Sequence, residues 1–421
     1  MLRFVHSADW QLGARFTQFG ANAGRLRAQR PATLRAALSA ARDRAADAFF
    51  VAGDLFEDNQ VADTLVDETL GIFAEFAEIP VFLLPGNHDP ASGPGSVWSR
   101  RQFKDEALPG NVTILRETTA LALRGREGGE YVLLAAPLHQ KVSTVDPSLR
   151  LRDLSREQPA GRVRVGLTHG ALAFPGKHQP NDFPIDPAAA TRAGLDYLGI
   201  GHWHNWQVYD AGRLVMPGTP EPDAFEQDAA GRVAYVEIDG PGAVPRVTPL
   251  PVAGLRWACW EYEFNDWESA RAALEHHAAT LGDALSAAVC RVRIKGLANP
   301  LPCAQAKAWF QERFASAFHC AVDDQTRPAL SPGELAALER EHPILCQVLG
   351  DLRQLELLAT GRGGPGDGLP EAATTAPLSL ADAQTLTTAA RLDLTALGAR
   401  DFLAARELLF GALHEAAAAC V

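Results

Sequence analysis

Residues 80–89 read PVFLLPGNHD: a short apolar run closed by Gly86, Asn87, His88 and Asp89. The run is too short for a helix and ends in turn-forming and acid/base side chains. It therefore predicts a buried strand that delivers Asn87 and His88 to a loop. The same grammar recurs outward along the chain. LRFVH (2–6) leads into Ser7-Ala8-Asp9 and AFFVA (48–52) into Gly53-Asp54, while VRVGL (163–167) leads into Thr168-His169-Gly170 and DYLGI (196–200) into Gly201-His202-Trp203-His204. Helical patterns lie between the strands. They are predicted over 31–46, with Pro31 in the first turn, and over 63–78, with Asp63 as N-cap. Strand and helix alternating from Leu2 to about Asp239 predict a layered α/β domain. In open α/β sheets ligands bind beyond the carboxyl ends of the strands, where residues distant in sequence converge.

Asp9, Asp54, Asn87, His169, His202 and His204 make a mixed oxygen and imidazole set at five such strand ends. A carboxylate can bridge two divalent ions, an Asn carbonyl adds a neutral oxygen, and imidazoles suit Mn, Fe or Zn better than Mg or Ca. The set predicts a two-metal site, whose chemistry is in-line displacement at phosphorus, that is, phosphoester hydrolysis. Singly, each residue has an ordinary structural reading as a helix cap, a turn or a structural imidazole. The joint order D-x-Q, GD, GNHD, THG and GHWH, each after a strand, is what separates the two readings.

Composition narrows the partners. With 47% hydrophobic and 21% charged residues among 421, the chain has ordinary globular usage. Lys and Arg number 39 against 51 Asp and Glu, a net charge of -12, so a nucleic-acid partner must be held by local basic patches or bound metal. The opening MLRFVHSADW has no apolar leader core, and no apolar run approaches the ~18 residues of a membrane span. A cytoplasmic protein with no membrane partner is expected. The six cysteines (Cys259, Cys290, Cys303, Cys320, Cys346 and Cys420) form no CxxC pair and read as buried thiols of a reducing compartment.

A Gly- and Pro-bearing stretch at 241–251 suggests a boundary. Beyond it, 256–264 reads as a strand, 266–282 as a helix, 287–296 as a strand, 303–318 as a helix and 319–323 as a short strand. From Ser331 an N-cap, Pro332 and Glu334 open a long amphipathic helix. Residues 360–377 have linker composition and 379–419 are again helical in pattern. The expected division is a catalytic domain over 1–245, a small α/β domain over 250–328 and a helical region over 329–421.

HSADWQLG (6–13), GDLFEDN (53–59), LLPGNHD (83–89), LTHG (167–170), GIGHWH (199–204) and MPGTPEPDAF (216–225) resemble the calcineurin-like metallophosphoesterases. Within them they are similar to the branch of the DNA repair nuclease subunit SbcD and its YhaO-like relatives. The resemblance covers about the first 240 residues. It implies a layered β-sheet sandwich flanked by helices, then a capping domain and C-terminal helices that hold a coiled-coil ATPase of SbcC or YhaN type. It also implies a homodimer formed through the catalytic domain. Carried onto this chain, it puts Asp9, Asp54 and His204 around one ion, with Asp54 bridging to a second held by Asn87, His169 and His202; Mn²⁺ is the expected metal. His88 takes the catalytic position, beside the scissile phosphate, to stabilise charge and favour protonation of the leaving oxygen. Gln11 stands where the family pattern has a metal-binding His. Its amide oxygen suits a hard ion, so it is a candidate ligand for a weaker, exchangeable ion.

The implied activity is cleavage of DNA phosphodiesters, as exonuclease and also endonuclease, in DNA repair or processing. Two alternatives stay open: a phosphodiesterase or phosphatase for small nucleotides, and a weakly active DNA-binding scaffold subunit, which Gln11 keeps in view. Among other residues, Glu57 either accepts a hydrogen bond from His88 or is solvated, Asp89 caps the local turn, and His6 and His139 are expected to be structural. Arg15, Arg25, Arg27, Arg30, Arg100, Arg101 and Lys104 are the candidate phosphate contacts.

Overall fold

The structure is a computed structural model that describes residues 1–176, 179–263, 267–298 and 300–328; the expected helical region over 329–421, with its linker, lies outside the described residues. The chain opens with β1 (Leu2–Ser7), α1 (Ala23–Asp43), β2 (Ala48–Ala52), α2 (Asp63–Ala74), β3 (Val81–Leu84) and β4 (Val112–Ile114). Then come β5 (Thr119–Arg124), β6 (Glu130–Ala135), α3 (Ser148–Arg156), β7 (Val163–His169), α4 (Ala189–Ala193) and β8 (Tyr197–Gly201). The last strands of this part are β9 (Gln207–Tyr209), β10 (Leu214–Met216), β11 (Arg232–Ile238) and β12 (Arg246–Pro251).

These strands form two six-stranded sheets, ordered β12-β11-β1-β2-β3-β4 and β5-β6-β7-β8-β10-β9. The sheets pack face to face around Phe4, Phe50, Phe82, Leu133, Val165, Tyr197 and Val215. The outer face of the first sheet, with Val5, Phe49, Val51 and Leu83, is covered by α1 and α2 through Leu34, Leu38, Val66 and Phe73. On the second sheet Val132, Leu134, Leu198 and Ile200 are covered by α3 and α4 through Leu151 and Ala190. Central strands are thus buried on both faces, which explains why AFFVA and VFLL are apolar at every position instead of alternating. β1, β2 and β3 run parallel in close register, with Ser7 opposite Val51 and Ala52 opposite Leu84. β7 and β8 do the same with His169 opposite Gly201. The loops carrying Asp9, Asp54 and Asn87 therefore leave one end of their sheet together.

Three expectations change. Helix α1 begins at Ala23, so Pro31 lies in its interior; the stripe of Leu34, Ala37, Leu38 and Ala41 on the core outweighs the one backbone bond that proline removes. Asp63 is the first residue of α2, not its N-cap, and its carboxylate accepts from Arg100 Nη1 at 2.8 Å. Residues 246–251 are an edge strand of the first sheet, paired to β11 from Arg232–Pro251 to Glu237–Arg246, so the first unit continues past 245 to Cys259. Asp283–Arg291 and Ser316–Cys320 also belong to this unit, where Val289 joins Phe19 and Leu255 in one apolar cluster.

The remaining strands, β13 (Arg256–Glu263), β14 (Ala288–Ala298) and β15 (His319–Pro328), make a three-stranded sheet in that order, with α5 (Trp267–Leu281) and α6 (Pro300–Arg313) as the intervening helices. The second unit begins at Trp260 and buries Leu274, Ala278, Phe310 and Phe314. Glu261 pairs with Arg293 and Lys295. Cys290 is buried as expected, whereas Cys259 is exposed. Among the described residues no helix is long and apolar enough to cross a membrane.

His6, on β1, is fully buried with Nδ1 2.8 Å from the Tyr197 hydroxyl. Burial drives its pKa down to about 3. An unfolded chain takes up this proton near pH ~6.5, so stability is fully present above that pH and falls by ~1.4 kcal/mol per unit as the pH drops towards the folded value. Replacing His6→Gln should therefore flatten the loss of stability between pH 7 and pH 5, measured by chemical denaturation. A variant as acid-sensitive as the parent would remove His6 from the acid response.

Candidate active site

The first two loops are zipped together by their backbones. Asp9 N donates to Gly53 O, Gln11 N to Asp54 O and Leu12 N to Leu55 O, at 3.0–3.2 Å. Asp9, Gln11, Asp54 and His202 all have left-handed backbones, with φ of 54°, 45°, 54° and 117°. Each such non-glycine residue costs about 1–2 kcal/mol, and their clustering at one place is the mark of a functional site.

Asp54 is the hub. Its Oδ1 accepts from the His88 backbone N–H at 2.9 Å, and its Oδ2 lies 3.2 Å from Gln11 Nε2 and 3.3 Å from His169 Nε2. Asn87 Oδ1 lies 2.8 Å from His169 Nε2 and 3.0 Å from His202 Nδ1. Asp9, Asp54 and His169 present ligand atoms within 4.8 Å of one another, all three buried. Ligands that share an ion at ~2.0–2.2 Å sit roughly 3–4 Å apart, so the donor set fits a divalent cation. The Asp9 carboxylate also accepts the His202 N–H with both oxygens, at 2.9 and 3.0 Å.

His169 and His202 are each aimed by an acceptor on the far side, as metal-binding imidazoles are, whereas His204 meets a donor first and a carboxylate farther off. His169 Nδ1 donates to the Ala52 carbonyl at 2.8 Å, which leaves Nε2 facing the two oxygens. His202 Nε2 lies 2.9 Å from Asp182 Oδ2, and His204 Nδ1 lies 2.9 Å from Gln227 Nε2 and 3.5 Å from Asp223 Oδ1. The electrostatics are those of a site arranged around positive charge. Burial opposes ionisation of His169, yet Asp54 and Asp9 raise its pKa to about 9. Burial also works against Asp54, but His169 and His88 hold it below the ordinary carboxylate range. Burial raises Asp9.

Gln11 is buried and its amide nitrogen is turned to Asp54, while Oε1 has no hydrogen-bond partner among the described residues. His88 is half-buried and its Nδ1 donates to the backbone carbonyl of Glu57 at 2.8 Å, not to the Glu57 carboxylate. Asp89 does more than cap its turn: Oδ1 accepts from Gly86 N at 2.8 Å and Oδ2 from Phe56 N at 3.0 Å, tying two loops of the site together. His139 Nδ1 lies 3.2 Å from the exposed Ser92 hydroxyl, apart from the cluster.

The cations divide. Arg30 is not a surface group: it is 1% exposed, donating to the Trp10 carbonyl and to Asp223. Arg100 is spent on Val61 O, Asn59 O and Asp63, and Arg25 on Asn22 and Phe318 O. Arg15 and Arg27 line a cleft of about 430 Å³ beside Leu12, Gly13 and Asp58. Arg101 and Lys104 are exposed. The sequence pattern missed the supporting residues. Asp182 lies outside every strand-end motif, and Asp223 sits within MPGTPEPDAF without a chemical signal of its own.

Carboxylate, amide and imidazole side chains gathered at the strand ends of two stacked sheets have the chemistry of a metal-dependent phosphoester hydrolase. Residues 2–206 match the calcineurin-like phosphoesterase family, and the chain carries a domain of that family. It is 26% identical over 301 residues to SbcD, the D component of the nuclease SbcCD, of Rhodobacter capsulatus, a match covering 59% of this chain and 69% of that one. It is 23% identical over 233 residues to YhaO of Bacillus subtilis, described as an uncharacterized metallophosphoesterase. That match covers 52% of this chain and about half (53%) of the relative's length. A dimetal phosphatase from Danio rerio aligns with a TM-score of 0.34 at 14% identity, over 59% of this chain and 98% of that one.

Gly86 tests the hub by sterics alone, because a Cβ there would stand 2.1 Å from Asp54 Oδ1. Gly86→Ala should displace the carboxylate and weaken divalent-metal binding by about tenfold or more, read by calorimetric titration of the folded variant. Parent-like binding would show that Asp54 does not hold metal from this position.

Proposed function

We propose that this protein is a two-metal phosphodiesterase that cleaves DNA, with Mn²⁺ as its working ion. In this reading it is the nuclease subunit of a cytoplasmic repair complex and dimerises through its catalytic domain. Residues 329–421 would engage a coiled-coil ATPase. The observation that carries the hydrolase reading is the meeting of His169 and His202 on Asn87 Oδ1 beside Asp54. Two imidazoles, a carboxylate and an amide oxygen converging at these distances call for a cation. The DNA substrate and the ATPase partner are supported by the similarity to SbcD of the SbcCD nuclease.

Asp54, Asn87, His169 and His202 would hold one ion, and Asp9, Asp54 and His204, with Gln11 beside them, the other. Two divalent ions at such a site acidify water and neutralise charge on a phosphodiester. The protein supplies orientation. Asp54 is held by the His88 N–H, Gln11 and His169, so its carboxylate keeps one geometry through turnover. Because a carbonyl only accepts, the bond from His88 Nδ1 to Glu57 O assigns the proton to Nδ1. With both nitrogens protonated, the ring would give its Nε2 proton to the leaving oxygen, fall back to the Nδ1–H tautomer and take a proton back from solvent.

End-labelled single- and double-stranded DNA, incubated with Mn²⁺ or EDTA, provides the test. Cleavage should require metal and fall by roughly a thousandfold or more in Asp54→Ala, since both ions lose a ligand, and by much less in Gln11→Ala. Equal, small losses would sink the two-metal assignment. Metal-dependent hydrolysis of small phosphodiesters with no cleavage of DNA would replace the nuclease by a nucleotide phosphodiesterase. His88→Ala should keep its metal and lose about 10²–10⁴ in turnover. Loss of bound Mn²⁺ in that variant would make His88 a ligand.

A further inference from the structure

Arg30 is a full positive charge buried in the interior of α1, where a guanidinium is costly unless paired. It makes two directed bonds. Nη1 donates to the Trp10 carbonyl at 2.5 Å, in the short loop between Asp9 and Gln11, and Nη2 donates to Asp223 Oδ2 at 3.1 Å. The other oxygen of Asp223 faces His204 Nδ1 at 3.5 Å. Gln227 completes the arrangement: its Oε1 accepts the Asp223 N–H at 2.9 Å, and its Nε2 donates to Asp223 Oδ1 at 2.6 Å. Arg30 thus ties helix α1 and the first loop to the 216–227 segment through one carboxylate whose neighbour is His204.

The chemistry of imidazole gives this carboxylate a task. His204 can offer Nε2 to a cation only when Nδ1 carries the ring proton, and that proton needs an acceptor. Asp223 Oδ1 is an acceptor. The Gln227 amide nitrogen, 2.9 Å from Nδ1, is a donor and favours the opposite tautomer. Arg30 holds the ionised Asp223 in place from the side away from the ring.

We infer that Asp223, anchored by Arg30, is a positioning residue that sets the tautomer and orientation of His204 and so controls occupancy of the ion site shared by Asp9 and His204. This rests on the two-ion reading above. Asp182 and the Ala52 carbonyl aim the two histidines of the other ion, so loss of Asp223 should empty one site and spare its neighbour.

The test is Mn²⁺ titration of the full chain, with free Mn²⁺ read by electron paramagnetic resonance, for the parent, Asp223→Asn, His204→Ala and the double variant. The parent should hold two ions. Asp223→Asn should hold one with unchanged affinity and the other about ten- to a hundredfold more weakly. The double variant should match His204→Ala, because a residue acting through His204 adds nothing once His204 is gone. Parent-like binding by Asp223→Asn alongside a loss in His204→Ala would overturn this inference alone, as would a further loss in the double variant. A parent that binds fewer than two ions, or a His204→Ala that binds like the parent, would overturn the two-ion reading and this inference with it. Should Asp223→Asn melt far below the parent, Arg30→Lys takes its place. It keeps the charge but not the two-acceptor fork, and the same single-site weakening is expected; unchanged binding would again overturn the inference.

Discussion

The position of the Asp54 carboxylate is the constraint on which the rest of the site depends. It lies just beyond the end of β2, a central strand of the first sheet, on a left-handed backbone. It is seated against Gly86 so closely that no Cβ fits there. His88, Gln11 and His169 all address its two oxygens. A carboxylate buried in this way would be neutral if left alone. Donors and imidazoles around it keep it ionised, and its charge in turn keeps His169 protonated when no metal is present.

That balance explains why the neighbouring histidines need outer partners. An imidazole that serves a cation must present a lone pair in a chosen direction, and the direction is set by what its second nitrogen meets. The backbone serves His169 through Ala52, and Asp182 serves His202. His204 faces Asp223 and Gln227, and there the assembly reaches across to α1 through Arg30. Helices that cover the outside of a sheet are usually read as packing. In this protein α1 also carries a charged side chain into the support of the site.

Gln11 gives the centre its asymmetry. An imidazole at this position would bring a borderline-soft ligand; the amide brings a hydrogen bond to Asp54 and an oxygen with no partner among the described residues. The set around Asn87 has its donors already in mutual contact, whereas the set around Asp9 and His204 depends on a neutral amide and a supported histidine. In the proposed two-ion site, that difference would make the two positions unequal in strength.

The layered fold was legible because strands buried on both faces must be apolar throughout, and VFLLPGNHD or AFFVAGD announces both the strand and the polar turn that closes it. The strand-end residues Asp9, Asp54, Asn87, His169 and His202 were legible for the same reason: parallel strands in register deliver their C-terminal loops to one edge. Other features had no local signature. The interior course of α1 through Pro31 was settled by its apolar stripe against the core. The burial of Arg30, the transfer of the His88 bond to the Glu57 carbonyl and the partnership of Asp182 with His202 join segments up to 193 residues apart. By itself, then, the sequence determined the strands and which polar side chains stand at their ends, because burial and backbone propensity act locally. Tertiary structure alone decided which side chain supports which ligand, because a hydrogen bond depends on ångström-scale placement between chain segments whose separation in sequence carries no record of it.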